Sequence, residues 1–380
     1  MQTAKAIRAD FDLDPEIRYL NHGGFGLVPR PVVAERDRWR RVIDNDPMRF
    51  FSLHARDEVA AARSSVTKFF GVPDESGAFV RNVSEGVSTV LAVLGLREGD
   101  EIVHANHGYG AVRCAAEHWC GRTGARVIEA TFPIGADNDA VVQAFGDAVS
   151  DKTKLVIVDQ ITSPTATVLP VRAIAAAVGD TTVLVDAAHV PGTLPTTIDQ
   201  LGVDLWVGNV HKWMFTPRGA AMLWASKRWR DRLSPLVLSW GLPLGFPRSF
   251  DTPGTIDLSG WLAVPAGLDY WRGLGGWEQT DRNAALVEKG QSFVAEALAT
   301  DLAGLPADPA PTMRLVPLPD GVAATPEDAD AFQHRLAEDG HVVAPAIAFG
   351  ERGYLRIAAQ GYNDESDYER LAEVLVTIVR

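Results

Sequence analysis

Five short apolar runs between residues 78 and 186 alternate with longer amphipathic stretches, and this alternation constrains the fold most strongly. The runs are apolar without internal alternation. Leu155-Val156-Ile157-Val158 offers four successive apolar side chains, so both faces of that strand must be covered. Strands are expected at Ala78–Arg81, Glu101–Ala105, Arg126–Thr131, Lys154–Asp159 and Thr182–Asp186. Helices are expected between them at Ser84–Leu94, Tyr109–Gly121, Asp139–Val149 and Val171–Val178. A further helix, Ala55–Phe70, carries Val59, Ala62, Val66 and Phe69 on one face and is stopped by Gly71 and Pro73. Strand and helix in regular succession predict βαβ units, hence a largely parallel sheet of the α/β class. Leu205–Gly208 and Ala220–Ala225, joined through Pro217 and Gly219, read as a hairpin at the sheet edge.

The pattern changes after residue 233. Leu233–Pro253 is rich in Pro, Gly and Trp and reads as irregular. Beyond it come helices at Trp261–Trp271, Arg282–Leu302, Asp328–Glu338 and Glu365–Val379, with strands at Met313–Leu318, His341–Ala344 and Tyr354–Ala358. This is an α+β set. With 380 residues the chain is long for one core, and two domains are expected: residues 1–264 with an N-terminal arm and a large α/β domain, then a smaller one over 265–380.

Charge narrows the partners. A net charge of −13 opposes nucleic acid and anionic membrane surfaces, both of which need a basic field. No apolar run approaches the roughly 20 residues of a membrane span, and residues 1–15 lack the apolar stretch of a signal peptide. Cys114 and Cys120 fit neither a CxxC pair nor a zinc cluster, so no metal is expected. Free thiols point to a reducing cytoplasm.

The chemistry is concentrated at strand ends, where open α/β sheets collect ligands. Val183-Leu184-Val185-Asp186 ends one strand in a carboxylate, and Trp206-Val207-Gly208-Asn209-Val210-His211-Lys212 ends another in His-Lys. Pyridoxal phosphate (PLP) needs such a pair: an amine to condense with its aldehyde, and an acid to keep its ring nitrogen protonated. A charge pair at about 4 Å is worth on the order of 4 kcal/mol at an effective dielectric near 20, enough to hold the ring protonated at neutral pH. His189, three residues past Asp186, either reaches the ring oxygen or is a satisfied loop histidine. Asn82-Val83-Ser84-Glu85-Gly86 opens a helix with Ser84 as its cap, and phosphate suits such an end. Neither GxxxxGK[ST] nor GxGxxG is present, which disfavours a P-loop or a nicotinamide dehydrogenase. His211 and Asn209 flank Lys212 within reach of the phosphate. Either Tyr109 or His107 stacks on the cofactor face. Arg356 is a lone charge in the apolar run Tyr354-Leu355-Arg356-Ile357-Ala358, and needs either a ligand carboxylate or an acidic side chain.

Taken together these motifs resemble fold-type I PLP enzymes, specifically aminotransferase class V and its isopenicillin N epimerase-like and cysteine C–S lyase-like branch. The resemblance runs from Leu20-Asn21-His22-Gly23-Gly24-Phe25-Gly26-Leu27-Val28-Pro29 through Asn45-Asp46-Pro47, His107-Gly108-Tyr109, Thr162-Ser163-Pro164-Thr165-Ala166, Asp186-Ala187-Ala188-His189 and His211-Lys212-Trp213 to Leu355-Arg356-Ile357. It implies the aspartate aminotransferase-like fold, with a mainly parallel seven-stranded sheet in the large domain. It also implies a homodimer with active sites at the subunit interface. In that scheme Lys212 binds the cofactor and acts as base, Asp186 pairs with the ring nitrogen, Tyr109 stacks, and His189 faces the ring oxygen. Ser84, Glu85, Ser163, Asn209 and His211 surround the cofactor, and Gly254-Thr255 reaches the neighbouring subunit's phosphate. Arg356 holds the substrate carboxylate, and Asn21, His22 and Gln160 line the substrate pocket. Ile256 and Gln160 stand where relatives often carry Arg and His.

The reaction depends on the fate of a carbanion at Cα. β-Elimination needs only a leaving group at Cβ, such as the sulfur of a bulky S-conjugated cysteine, and ranks first. Epimerisation needs a second acid on the opposite face, for which Tyr109 and His22 are the candidates. Transamination or decarboxylative deamination uses the same Lys212. Persulfide formation needs a cysteine on a mobile loop, whereas Cys114 and Cys120 fall in an expected helix. A non-catalytic binding or regulatory protein of this fold would have no need to keep both Lys212 and Asp186.

Overall fold

The computed structural model describes residues 2–379; Met1 and Arg380, the outer limits of the expected domains, lie outside the described residues. A two-residue strand, β1 (Arg18–Tyr19), precedes seven strands of one sheet. These are β2 (Gly77–Val80), β3 (Glu101–Ala105), β4 (Arg126–Ala130), β5 (Thr153–Asp159), β6 (Thr182–Asp186), β7 (Leu205–Asn209) and β8 (Ala221–Ala225). They lie in the order β2-β8-β7-β6-β5-β3-β4. Only β8 runs against the rest. The α/β expectation holds, and the sheet is seven-stranded and mainly parallel.

The unbroken apolar runs are explained by two covered faces. Val156, Val158, Val183, Val185 and Trp206 join one core cluster, while Leu155, Ile157, Leu184, Leu205 and Val207 join another. Helices Val83–Val93 and Gly110–Thr123 cover the second face, and Ala55–Phe70, Asn138–Ala148 and Val171–Ala177 cover the first. The hairpin of β7 and β8 forms, but it is not at the sheet edge, because β2 pairs with β8 on the far side. Every residue of β8 is buried. An edge strand would leave one row of its N–H and C=O groups unpaired, and β2 supplies the partners.

The C-terminal part has its own core. Strands β9 (Met313–Pro317), β10 (Val342–Val343), β11 (Ala346–Phe349) and β12 (Arg352–Ala358) follow in sequence. An antiparallel sheet, β11-β12-β9, packs with helices Trp277–Leu298, Pro326–Glu338 and Glu365–Ile378 around Val287, Leu336, Leu355 and Leu371. Strand β10 instead pairs in parallel with β1, which ties the N-terminal segment to this unit.

Element limits differ from expectation for local reasons. The long helix starts at Trp277, after Gly276 at φ +56°, and ends at Leu298, where Ala299 turns left-handed. The expected helix Trp261–Trp271 is two, Ser259–Leu262 and Val264–Gly273; Pro265 lacks an N–H and sits in the first turn of the second. Helix Arg30–Asn45 was not anticipated: only Val32 and Ile43 on it are buried, so its apolar periodicity is faint. The short strands β1 and β11 also lacked a readable pattern.

Candidate active site

Because β2, β3, β5, β6 and β7 are parallel, their carboxyl ends open on one edge of the sheet. The loops that follow them line a cavity of about 190 Å³ bounded by Asn82, Ser84, Tyr109, Asp159, Asp186 and Lys212, among others. The sequence rule for open sheets therefore locates the site.

Asp186 ends β6 on its floor. Its Oδ1 accepts from the Ala188 N–H at 2.9 Å, while its Oδ2 is buried without a partner. Burial raises its pKa to about 6 against the N–H of Ala188 and the charge of Lys212, which pull it down. Asp159 ends β5 and stands in register with Asp186. Its Oδ2 is also buried and unpartnered, and burial, then the charge of Asp186, push its pKa well above the ordinary value. Sequence reasoning assigns a role to Asp186 and none to Asp159, although both end strands at the crevice. The same signal, an apolar strand ending in Asp, marks both.

Lys212 follows β7, in the short helix Val210–Trp213. Its Nζ lies 3.1 Å from His189 Nε2. Burial lowers its pKa to about 7, helped by Arg356 and opposed by Asp186 and Asp159. At pH 7 about half of such lysines carry a free amine, against roughly one in three thousand at the ordinary value. His189 is buried, and that burial, with the charges of Lys212 and Arg356, holds it neutral. Trp213 Nε1 donates to His189 Nδ1 at 3.4 Å. Indole is a donor only, so the ring proton of a neutral His189 belongs on Nε2, pointing at Lys212. The lysine must then accept, which requires the free amine.

The helix after β2 is capped differently from expectation. Asn82, not Ser84, is the N-cap, and its Oδ1 accepts from the Glu85 N–H at 2.9 Å. Asn209 Oδ1 accepts from the Val83 N–H at 3.0 Å. Ser84 takes no such bond and lines the cavity. The Glu85 carboxylate points the other way, accepting from the backbone and side chain of Arg81. His211 Nδ1 donates to the Ala220 carbonyl at 2.8 Å, and burial lowers its pKa to about 4.

Of the two candidate stacking rings, Tyr109 lines the cavity and is 42% exposed. His107 is buried, stacked on Phe132 at 4.2 Å and bonded to Thr165 Oγ1 and the Phe132 carbonyl. Gly108 between them is obligatory, since a Cβ there would fall 2.1 Å from the His104 ring.

Arg356 is buried, and among the described residues no acidic side chain pairs with it. It donates through Nη1 to Ser163 O and Oγ, and through Nη2 to Asn21 Oδ1 at 3.1 Å. Burial lowers its pKa to about 10. The ion-pair alternative is thus not what the structure contains.

The remaining expected residues lie apart from the cavity. His22 is packed among Trp213, Phe215 and Tyr362, with Nδ1 3.0 Å from the Tyr362 hydroxyl. Gln160 accepts from Trp206 Nε1 and donates to Thr196. Thr255 borders a second cavity with Ser239 and Trp240. Gly24 and Phe25, close in sequence to His22, do line the site. Among the described residues no group of His, Cys, Asp and Glu is arranged to hold a metal ion, and no helix is long and apolar enough to cross a membrane.

The fold and this site define a protein of the PLP-dependent transferase architecture. The aminotransferase class-V family model matches residues 27–370, and the chain belongs to that family. It is 30% identical to isopenicillin N epimerase of Amycolatopsis lactamdurans, over 97% of this chain and 96% of that one. It is 29% identical to putative L-cysteine desulfhydrase 1 of Oryza sativa subsp. japonica, over 99% and 86%. Among solved structures, a C-DES mutant with glycine covalently linked to its PLP cofactor superposes with a TM-score of 0.81 at 20% identity, covering 97% of this chain and 98% of that one. The cystine C–S lyase C-DES with its product cysteine persulfide gives 0.80 at 19% identity, covering 95% and 98%.

Proposed function

We propose that this chain is a PLP-dependent enzyme that removes the Cα proton of an amino acid and cleaves a C–S bond at Cβ of a bulky S-conjugated cysteine. One observation carries the reading: a buried, unpartnered carboxylate oxygen, Asp186 Oδ2, shares a pocket with a lysine amine held near neutrality. The residues present fit the cofactor. Lys212 would take the aldehyde, Asp186 the ring nitrogen, His189 Nε2–H the ring oxygen, and Tyr109 the ring face. Ser84 and Asn209 would hold the phosphate. His211 becomes a phosphate donor only by taking up a proton, which a neighbouring dianion favours. When bound, PLP supplies an electron sink for the pair left at Cα by proton removal.

The protein's own groups supply the rest. Lys212 Nζ, displaced by the substrate amine, takes the Cα proton and can return it to the departing sulfur. Arg356 spends its hydrogens on the neutral acceptors Ser163 and Asn21, and a substrate carboxylate outcompetes both. Phe25 and Tyr109 line the cavity and are exposed, which suits a large S-substituent. Epimerisation is the second reading, favoured by the epimerase relative and by Tyr109 as the facing acid. It ranks lower because His22, the other candidate, is sealed behind Trp213 and Tyr362. Neither cysteine lines the pocket, so a persulfide-forming route has no nucleophile there.

The same proposal makes the enzyme a cytoplasmic homodimer. Exposed Leu236, Val237, Leu238 and Trp240 beside the Thr255 cavity support a subunit contact there. Residues 1–264 would form the cofactor-holding domain, and residues 265–380 the one that contributes Arg356. Incubation with cysteine S-conjugates in D₂O tests the ranking. Pyruvate and free thiol are expected; recovered substrate deuterated at Cα, with no keto acid from any conjugate, would refute the lyase reading.

A further inference from the structure

The mechanism above leaves one buried acid of the cavity without a task. We propose that Asp159 is a positioning residue that holds the one proton of the Asp159–Asp186 pair, so that the floor of the site carries one negative charge, on Asp186. The inference rests on the cofactor reading above, because it assigns Asp186 the ring nitrogen.

Strand register supplies the geometry. Asp159 and Asp186 are paired positions on the adjacent parallel strands β5 and β6, so their side chains leave the same face of the sheet side by side. Both line the same cavity, and each has a buried Oδ2 with no hydrogen-bond partner. Two adjacent carboxylates in a low-dielectric site do not both ionise. The two are not equivalent. Asp186 accepts the Ala188 N–H at 2.9 Å, and its pKa is lifted less than that of Asp159, for which the neighbouring charge of Asp186 adds to burial. The backbone N–H of Tyr109 also approaches Asp159 and offsets part of that push.

The charges facing the pair give the proton its purpose. Arg356 contributes one fixed positive charge from β12, and Lys212 a titratable one from the short helix after β7. His189, after β6, is neutral. One carboxylate balances Arg356. A second would hold Lys212 as its ammonium form and silence it as a nucleophile toward an aldehyde. Asp159, kept neutral, lets Lys212 remain a free amine while Asp186 retains the charge that a ring nitrogen needs.

Asp159→Asn fixes the neutral form and isolates the claim. In the full chain at pH 7, the infrared difference spectrum of wild type minus Asp159→Asn should contain the C=O stretch of a buried protonated carboxyl, shifting in D₂O. PLP affinity, read by the visible absorbance of bound cofactor, should stay within about threefold of wild type for Asp159→Asn and fall at least tenfold for Asp186→Asn. Absence of the carboxyl band overturns the proposal. So does a loss of affinity in Asp159→Asn as large as that in Asp186→Asn, which would put the charge on Asp159. If both variants bind PLP like wild type, the cofactor reading fails while the infrared result still decides whether the pair holds a proton. Asp159→Ser replaces the amide if the latter does not pack.

Discussion

Replacing Asp186 by Asn should stabilise the cofactor-free protein while crippling cofactor binding. The carboxyl is buried, and its pKa is raised from 3.8 to about 6. A group whose folded pKa is raised binds more protons folded than unfolded, so its stabilising contribution is whole below the ordinary pKa and is lost as pH climbs through the folded one. Each tenfold change in the dissociation constant is worth about 1.4 kcal/mol, so ionising Asp186 costs about 3 kcal/mol by pH 7. Asn accepts the same Ala188 N–H and carries no charge, so the variant escapes that cost. Asp159, freed of its charged neighbour, ionises more readily and trims the gain, making about 3 kcal/mol the upper end. Urea denaturation of both cofactor-free proteins from pH 4 to pH 7 measures it. The variant's advantage should be under about 1 kcal/mol at pH 4 and grow with pH toward 7. A difference independent of pH, or a variant less stable at pH 7, would refute the assignment of a strained carboxylate. PLP affinity should move the opposite way, falling by up to about a thousandfold for a lost charge pair of about 4 kcal/mol.

Other outcomes follow from the same geometry. Cofactor capture should rise with pH up to about 7 and level off above it, since the free amine of Lys212 is the reacting form; stopped-flow absorbance measures this. Arg356→Gln should raise KM and lower kcat/KM about a hundredfold while leaving cofactor affinity nearly intact, as steady-state kinetics and a PLP titration would report. His189→Phe removes the Nε2–H beside Lys212 and should shift the capture profile toward higher pH, because the amine loses a donor that favours its neutral form. Gly108→Ala drives a Cβ into the His104 ring and should lower the melting temperature and displace Tyr109, reducing turnover even where the protein folds.

The sheet was legible in the sequence because doubly covered strands leave an unbroken apolar signature, as in Leu155–Val158. The crevice was legible for the same reason: strand ends carry the loops that meet there. Pairings set by distant segments were not. Nothing local tells β8 that β2 will cover it, or β1 that β10 lies beside it. Side-chain direction was equally out of reach. Asn82 and Ser84 are both good caps, and only the backbone decides that Asn82 takes the Glu85 N–H and leaves Ser84 for the cavity. Asp159 gained no role because nothing local shows that its carboxyl stays unpaired beside that of Asp186. His22 and Gln160 lie in pocket-forming segments, yet His22 turns its Nδ1 to Tyr362, and Gln160 spends its amide on Trp206 and Thr196.

Lys212 is the residue proposed to receive the cofactor. Borohydride reduction of the PLP-loaded protein, followed by digestion and mass mapping, tests this directly. A pyridoxyl addition is expected on the peptide containing Lys212 and on no other lysine, with no addition at that site in Lys212→Ala. Modification of a different lysine, or none in a protein that has turned yellow with PLP, would contradict it.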